Sequence, residues 1–314
     1  MRILWHIHAY PPVHNAGAEW MAHDMNRYLK SKGHEIRIIS SWGGEFEGIP
    51  VHTMENPVVM RDHYLWSDIV LTHLGMSGLA YNISKLRKRP MVFVSHNTHP
   101  YTFGRQANSG VYIIHNAQWS MDALKYKRPG IVVYPPVDYR RFKQSKKGDR
   151  ITLINLNVNK GGAVLEQIAR MMPDHKFLAV KGMYGDQHLR YPSNVEVIDN
   201  TPDIQSVYDR SRIVIMPSEY ESWGRVGVEA MACGLPVIAH PTPGLYENLA
   251  HAGIFCDRND PRLWVEAIKN LDDRKSYIEQ SKKSLARAVE LDPTPQLERM
   301  EAWLESIVNR KTRF

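Results

Sequence analysis

Two glutamates with seven residues between them, Glu221 and Glu229, flank the turn Ser222-Trp223-Gly224 inside the stretch IVIMPSEYESWGRVGVEAMACGLPVIAHPTPGLYE, residues 213–247. The apolar run Ile213 to Met216 predicts a strand that enters a polar loop holding Glu221. The glycine turn then opens a short helix that carries Glu229 and stops at Gly234, and Pro236 to Ala239 predicts the next strand. The first amides of a helix lack partners within it and lie at the positive end of its dipole, so the start at Gly224 and Arg225 suits an anion such as a diphosphate. An ionised carboxylate repels phosphate but accepts well from hydroxyls. Glu221 and Glu229 therefore suit a diol on each side of that diphosphate, and the three together describe a nucleotide sugar.

Other residues suit the same chemistry. NKGGAVLEQIARMM places Lys160, Gly161 and Gly162 at the start of an amphipathic helix whose Val164, Leu165, Ile168 and Met172 share a face. A lysine beside glycines at a helix start suits phosphate. KFLAVKGMYGD predicts a strand followed by a glycine turn at Gly182 and Gly185. In the first half Gly17 marks a loop-to-helix junction, where backbone can come close to a ligand. DIVLTHL and PMVFVSHNTHP are apolar runs leading to His73, His96 and His99, and strand C-termini in a parallel sheet face the ligand crevice. His96 reads either as a hydrogen-bonded loop histidine or as a substrate contact. Of 15 histidines, 11 precede residue 120. His6 with His8, or His96 with His99, could form ligand pairs, but no third ligand at a recognisable spacing accompanies either, so no metal site is expected.

The elements that must hold these groups alternate between strand and helix. Ile3 to His8 predicts a buried strand; Trp20, Met21, Met25, Tyr28 and Leu29 recur at helical spacing up to Gly33, and Glu35 to Ser40 resumes a strand. This is the pattern of a doubly wound α/β sheet. At 314 residues the chain exceeds one typical domain, and the polar, lysine-rich QSKKGDR is a plausible linker between two. LWVEAIKNL and PQLERMEAWLESIVNR predict helices near the end. A hydrophobic content of 43% with 23% charged residues is that of a soluble globular protein. No 18-residue apolar run occurs, and MRILWHIHAYPP is too short and polar for a signal peptide, so a cytoplasmic protein without a membrane span is expected. Cys233 and Cys256 are the only cysteines, which excludes a disulfide framework and a four-cysteine zinc site. The net charge of +7 comes mostly from residues 1–140, which hold 15 Lys and Arg against 10 Asp and Glu; it permits an acidic partner without requiring one. The run KLRKR at 85–89 reads as a solvated, dipole-favoured helix end.

With these residues in view, the chain resembles a family 4 retaining glycosyltransferase of the GT-B fold in five places, in order, over nearly its whole length. YPPVHNAGAEWMAHDMNRYLKSKGHEI is similar to the family's opening loop and helix, and VFVSHN to the strand that ends in its active-site histidine, here His96. YPPVDYRRF resembles the interdomain crossing and NLNVNKGG the phosphate-binding strand and loop. ESWGRVGVEAMACGLPVIA resembles the signature of Glu, seven residues, Glu, then Ala-Met-Ala-x-Gly-x-Pro-Val, which fixes Glu221, Gly224, Glu229, Gly234 and Pro236 together. The resemblance implies two Rossmann-like doubly wound domains facing each other across a cleft. Residues 1–140 would form the acceptor side, with a helix at 295–314 packing back on it, and residues 141–294 the nucleotide-sugar donor side. It further implies that Glu221 holds the transferred sugar's hydroxyls, Glu229 the ribose, and Lys160 the diphosphate. Gly17 and His96 would face sugar and acceptor, and Gly182, Ser222, Trp223, Gly224 and Arg225 would border the donor.

Two departures stand out. Relatives usually carry an arginine where this chain has Asn155, and Arg225 or Lys181 is the expected substitute for its charge. The opening loop has Asn15-Ala16-Gly17 where a double glycine is common. The implied activity is transfer of a hexose or similar sugar from a nucleoside diphosphate to an acceptor hydroxyl with retention. It needs no metal or other cofactor, because lysine, helix dipole and backbone amides carry the leaving diphosphate's charge, and no enzyme nucleophile, because the departing phosphate oxygen takes the acceptor's proton on the same face. A covalent step through Glu221 is the second mechanism. Three alternatives use the same fold: transfer to a modified base in nucleic acid, epimerisation of a nucleotide sugar, and non-catalytic binding of one. The acceptor, whether a saccharide, a lipid-linked or small molecule or DNA, is left open, as are the donor sugar and its base.

Overall fold

A computed structural model describes residues 1–54, 56–99, 111–123, 129–143 and 148–311. The chain divides into two compact units, Met1–Pro136 together with Pro293–Phe314, and Val137–Asp292. The first division falls before the boundary placed at 140, because Val137 is buried and Tyr139 and Phe142 pack on the second unit's core, Phe142 edge-on to Tyr208 at 6.2 Å. Residues 144–147 of the expected linker lie outside the described residues.

The first unit runs β1 (Arg2–His6), α1 (Gly17–Ser31), β2 (Glu35–Ser40), β3 (Gly44–Phe46), β4 (Ile49–Thr53), α2 (Pro57–Trp66), β5 (Ile69–His73), α3 (Ser77–Leu86), β6 (Met91–Ser95), β7 (Val111–His115), α4 (Gln118–Asp122) and β8 (Gly130–Val132). Its eight strands lie in the order β3-β4-β2-β1-β5-β6-β7-β8, parallel except for the β3/β4 hairpin. Ile3 of β1 pairs with Ile36 on one side and Ile69 on the other. The winding therefore reverses between β1 and β5, and a crevice opens at their C-terminal ends. Both strands are almost wholly buried, as a parallel sheet covered on both faces requires. Helix α1 turns Met21, Met25 and Leu29 onto this sheet and is closed by Gly33 at φ 85°, a conformation that glycine adopts without strain.

The second unit runs β9 (Arg150–Ile154), α5 (Gly162–Met171), β10 (Phe177–Val180), β11 (Val195–Ile198), α6 (Ile204–Arg210), β12 (Ser211–Met216), α7 (Arg225–Ala232), β13 (Val237–Ala239), α8 (Pro243–Leu249), β14 (Gly253–Phe255), α9 (Pro261–Asn270) and α10 (Arg274–Glu290). Six parallel strands lie in the order β11-β10-β9-β12-β13-β14. The predicted face of α5 (Val164, Leu165, Ile168, Met172) packs with Trp264 and Ile268 in one cluster, while Ala230 and Met231 of α7 pack with Leu245 and Leu249 in another. The reversal here lies between β9 and β12, which sets the loops after Ile154 and Met216 side by side.

The last helix, α11 (Thr294–Lys311), belongs to the first unit. Leu297, Met300, Leu304 and Ile307 join Trp5, Met21 and Met25 in one core, and the Tyr28 hydroxyl donates to Glu301 Oε2 at 2.8 Å. Among the described residues no helix is long and apolar enough to cross a membrane. Cys233 and Cys256 are buried free thiols.

Candidate functional site

The loop after β9 begins at Asn155, whose φ of 77° lies in the left-handed region that asparagine enters more readily than most side chains. Its Oδ1 accepts from Asn157 N at 3.1 Å, and a Cβ added to Gly182 would stand 2.4 Å from the same oxygen. Asn155 and Gly182 are thus fitted to each other. Further along, a Cβ on Gly161 would meet the Pro217 carbonyl at 2.7 Å, and Glu219 N donates to Asn159 O at 2.8 Å. These contacts tie the loop holding Lys160 to the loop holding Glu221. Lys160 Nζ lies 2.5 Å from Glu221 Oε1, which also accepts from Ser218 Oγ at 3.1 Å.

The turn into α7 is held from below. Asn248 Nδ2 donates to the carbonyls of Trp223 and Gly224, both at 2.8 Å, and Trp223 is buried. A Cβ on Gly244 would come within 2.4 Å of the carbonyl oxygens of Glu221 and Ser222, so α8 packs directly on this backbone. Gly224, at φ 89°, starts α7 without a side-chain cap, the condition under which a helix start receives an external anion. One turn later Glu229 is buried, its Oε1 accepting from Arg225 Nε at 2.6 Å and its Oε2 from Tyr208 OH at 2.8 Å. Burial, with the charge of Glu229 beside it, holds the Tyr208 phenol well above its usual range.

The two expected substitutes for an arginine at 155 are both engaged with carboxylates, Arg225 with Glu229 and Lys181 with Asp199 at 2.8 Å. The Gly182 amide donates to Gln187 Oε1 at 2.8 Å.

In the first unit Gly17 is the exposed first residue of α1, with nothing within 4 Å of where a Cβ would stand. His96 follows β6, half-buried, with Nε2 3.0 Å from Nδ1 of the fully buried His73. Burial, helped by nearby His8, pushes His96 down to about 3, so it is a neutral hydrogen-bonding ring at physiological pH. His6 and His8 do not act as a pair. His6 Nδ1 lies 2.6 Å from Tyr64 OH and burial pushes it down to about 4, whereas His8 Nε2 faces Glu19 Oε1 at 3.4 Å. His14 Nδ1 faces the other Glu19 oxygen at 3.5 Å, and burial pushes that carboxyl up to about 7. His99 is exposed, its amide donating to Asn97 Oδ1 at 3.1 Å.

Ser218, Tyr208, Asn248, Gly244 and Glu19 all contact expected site residues or face them, yet sequence pattern alone does not mark them. Each reads locally as an ordinary loop or helix residue. Ser218 shares the loop of Glu221, while Tyr208 of α6 and Asn248 and Gly244 of α8 meet the site by packing on α7 and the turn before it, and Glu19 meets the ends of β1 and β5.

Residues 186–286 match the family described as Glycosyl transferases group 1. The D-inositol 3-phosphate glycosyltransferase of Paenarthrobacter aurescens (strain TC1) is 38% identical over 74 residues, which is 23% of this chain and 18% of the relative. That of Corynebacterium kroppenstedtii is 42% identical over 78 residues, 23% of this chain and 17% of the relative. The alignments thus span under a fifth of the length of these curated relatives. Among solved structures, Anabaena Alr3699/HepE in complex with UDP-glucose superposes with a TM-score of 0.85 at 19% identity, covering 98% of this chain and 100% of that one. Sucrose-phosphate synthase from Thermosynechococcus elongatus gives 0.79 at 13% identity, with 99% and 100% covered. The fold is α/β with two Rossmann-like units, and its structural neighbours are GT-B glycosyltransferases.

Proposed function

We propose that the protein is a retaining glycosyltransferase that moves a sugar from a nucleoside diphosphate to an acceptor hydroxyl. The observation that carries this reading is the meeting of the loops after β9 and β12. Lys160 lies against Glu221, and the short turn from Glu221 delivers the uncapped start of α7, with Glu229 one turn inside it. The family match at 186–286 includes both glutamates, which supports the reading. So do the activity in the names of the D-inositol 3-phosphate glycosyltransferases and the UDP-glucose held by the Anabaena neighbour.

In this reading Glu229 accepts the ribose hydroxyls and Glu221 a hydroxyl of the transferred sugar. Both now hold internal partners, so donor binding exchanges Arg225 or Tyr208 at one carboxylate, and Lys160 or Ser218 at the other, for ligand hydroxyls. Lys160 and the start of α7 carry the charge that develops on the departing diphosphate, with no metal at that group. The acceptor oxygen bonds to the anomeric carbon on the face the phosphate leaves, and its proton passes to the departing phosphate oxygen. Gly17 and the neutral ring of His96 are assigned to sugar and acceptor.

The test is incubation with labelled UDP-, GDP- and ADP-sugars, with product stereochemistry read by NMR. Release of a nucleoside diphosphate with the anomeric configuration kept is expected. Tight nucleotide-sugar binding with no release would make the protein a binding module, and transfer confined to DNA would move the acceptor to nucleic acid.

A further inference from the structure

We propose that the first unit binds a divalent transition-metal cation, with Zn²⁺ the fitting occupant, through His8, Glu19 and His73. Each offers one ligand atom, and the three atoms lie within 4.8 Å of one another. The topology brings them together: His73 ends β5, His8 stands just beyond the end of its parallel neighbour β1, and Glu19 lies in the first turn of α1.

The spacing suits an ion between the groups better than direct contact. His8 Nε2 is 3.4 Å from Glu19 Oε1. Charge-assisted hydrogen bonds close to about 2.7–2.9 Å. Two donors each about 2.0–2.1 Å from a tetrahedral ion stand about 3.3 Å apart. Glu19 is 1% exposed, and burial disfavours its ionised form, which a bound cation would restore. His73 Nδ1 meets His96 Nε2, the kind of outer contact that orients a ligating imidazole, while His73 Nε2 is buried without a hydrogen-bond partner. Imidazoles with one carboxylate favour Zn²⁺ or Co²⁺ over Mg²⁺ or Ca²⁺. The His8 side chain is 41% exposed, which gives the ion an entry path and keeps a coordination position toward solvent, as in zinc sites with three protein ligands.

A second group among the described residues, His34, Glu301 and Glu305, is satisfied without an ion. His34 meets the Met1 amine at 3.0 Å and Glu301 at 2.9 Å, and Glu301's other oxygen accepts from Tyr28.

The test uses the full chain, stripped by a chelator and titrated with Zn²⁺ against a chromophoric competitor, then with Co²⁺ to read its visible absorption. One tight Zn²⁺ per chain is expected, with Co²⁺ bands of low coordination number. Glu19→Gln, nearly isosteric, and His8→Ala should abolish tight binding. His96→Gln, acting through His73, should weaken it by about 10- to 100-fold, and His34→Ala should leave it unchanged. Zn²⁺ should raise the melting temperature of the wild type and not of Glu19→Gln, whose circular dichroism without metal checks its fold. Absence of tight Zn²⁺ binding by the wild type overturns the proposal. Binding that survives Glu19→Gln and is lost in His34→Ala overturns it equally.

Discussion

Arg225 and Glu229 face each other one turn apart in α7, Nε 2.6 Å from Oε1, with side chains 16% and 8% exposed. Replacing Arg225 by leucine leaves a buried carboxylate holding the Tyr208 hydroxyl but stripped of its positive neighbour. Unit charges about 4 Å apart attract by about 4 kcal/mol at an effective dielectric near 20. Desolvation of both ends takes back part, and a hydrogen bond to a charged group nets about 1.5–3 kcal/mol. Arg225→Leu should therefore destabilise the second unit by about 2–3 kcal/mol. Glu229→Gln should cost a similar amount, and the double variant should cost less than the sum by about 1.5–3 kcal/mol. Hydrogen exchange of the β12 amides is the assay, because this buried central strand opens with its own unit and reports that unit's stability. Costs that add to within about 0.5 kcal/mol would show that the pair is uncoupled. If Arg225 instead served the diphosphate, Arg225→Leu would leave exchange unchanged while weakening nucleoside diphosphate binding.

Three further outcomes are expected. Lys160→Ala and Glu229→Ala should cripple donor binding or turnover, and Glu221→Gln should lose transfer while keeping much of the nucleotide affinity; wild-type rates in labelled-donor assays would remove those residues from the site. Gly244→Ala places a methyl 2.4 Å from the carbonyls of Glu221 and Ser222, so it should displace that loop, cost about 1–3 kcal/mol and depress turnover, and full activity would disprove the close packing. His63 is pushed down to about 4, first by burial and then by the neighbouring His52 and Arg37. Between about pH 6.5 and that value the unfolded chain binds the proton that the folded chain refuses, so stability rises with pH across this window and is lost as pH falls. His63→Gln should flatten the acid limb of first-unit stability by up to about 3 kcal/mol, read by hydrogen exchange, and an unchanged slope would refute the assignment.

The strands and helices that position Lys160, Glu221 and Glu229 are legible from local pattern, because β9, β12 and α7 are apolar runs punctuated by Gly161, Gly224 and Gly234, each with positive φ. Helix α10 escapes such a reading: only Ser284 and Ala288 are buried along its 17 residues, so it shows little apolar periodicity. The β3/β4 hairpin escapes it too, being three and five residues of largely half-buried or exposed side chains. At the site, residue types were readable but partners were not. The engagement of Arg225 with Glu229 follows from helical i,i+4 spacing, yet the Tyr208 hydroxyl on the other oxygen depends on α6 lying against α7. The Glu19 cluster is the strongest case, because its histidines come from the end of β5 and from just beyond β1, strands separated in sequence and adjacent only in the sheet.

The charge distribution bears on the acceptor. A nucleic-acid acceptor would ask the basic first half for a stripe of lysines and arginines free to meet phosphates. Four of its arginines are engaged within the fold: Arg2 pairs with Asp68, Arg27 with Glu47, Arg37 lies over Trp66, and Arg89 donates to the carbonyls of Tyr64 and Leu65. Burial lowers His6, His8, His23, His63, His73, His96 and His115, which disfavours positive charge on these seven rings. Donor turnover should therefore change little between low and moderate salt in the presence of a neutral acceptor. A steep loss of activity with salt, of the slope that counterion release produces, would return nucleic acid to the front as acceptor.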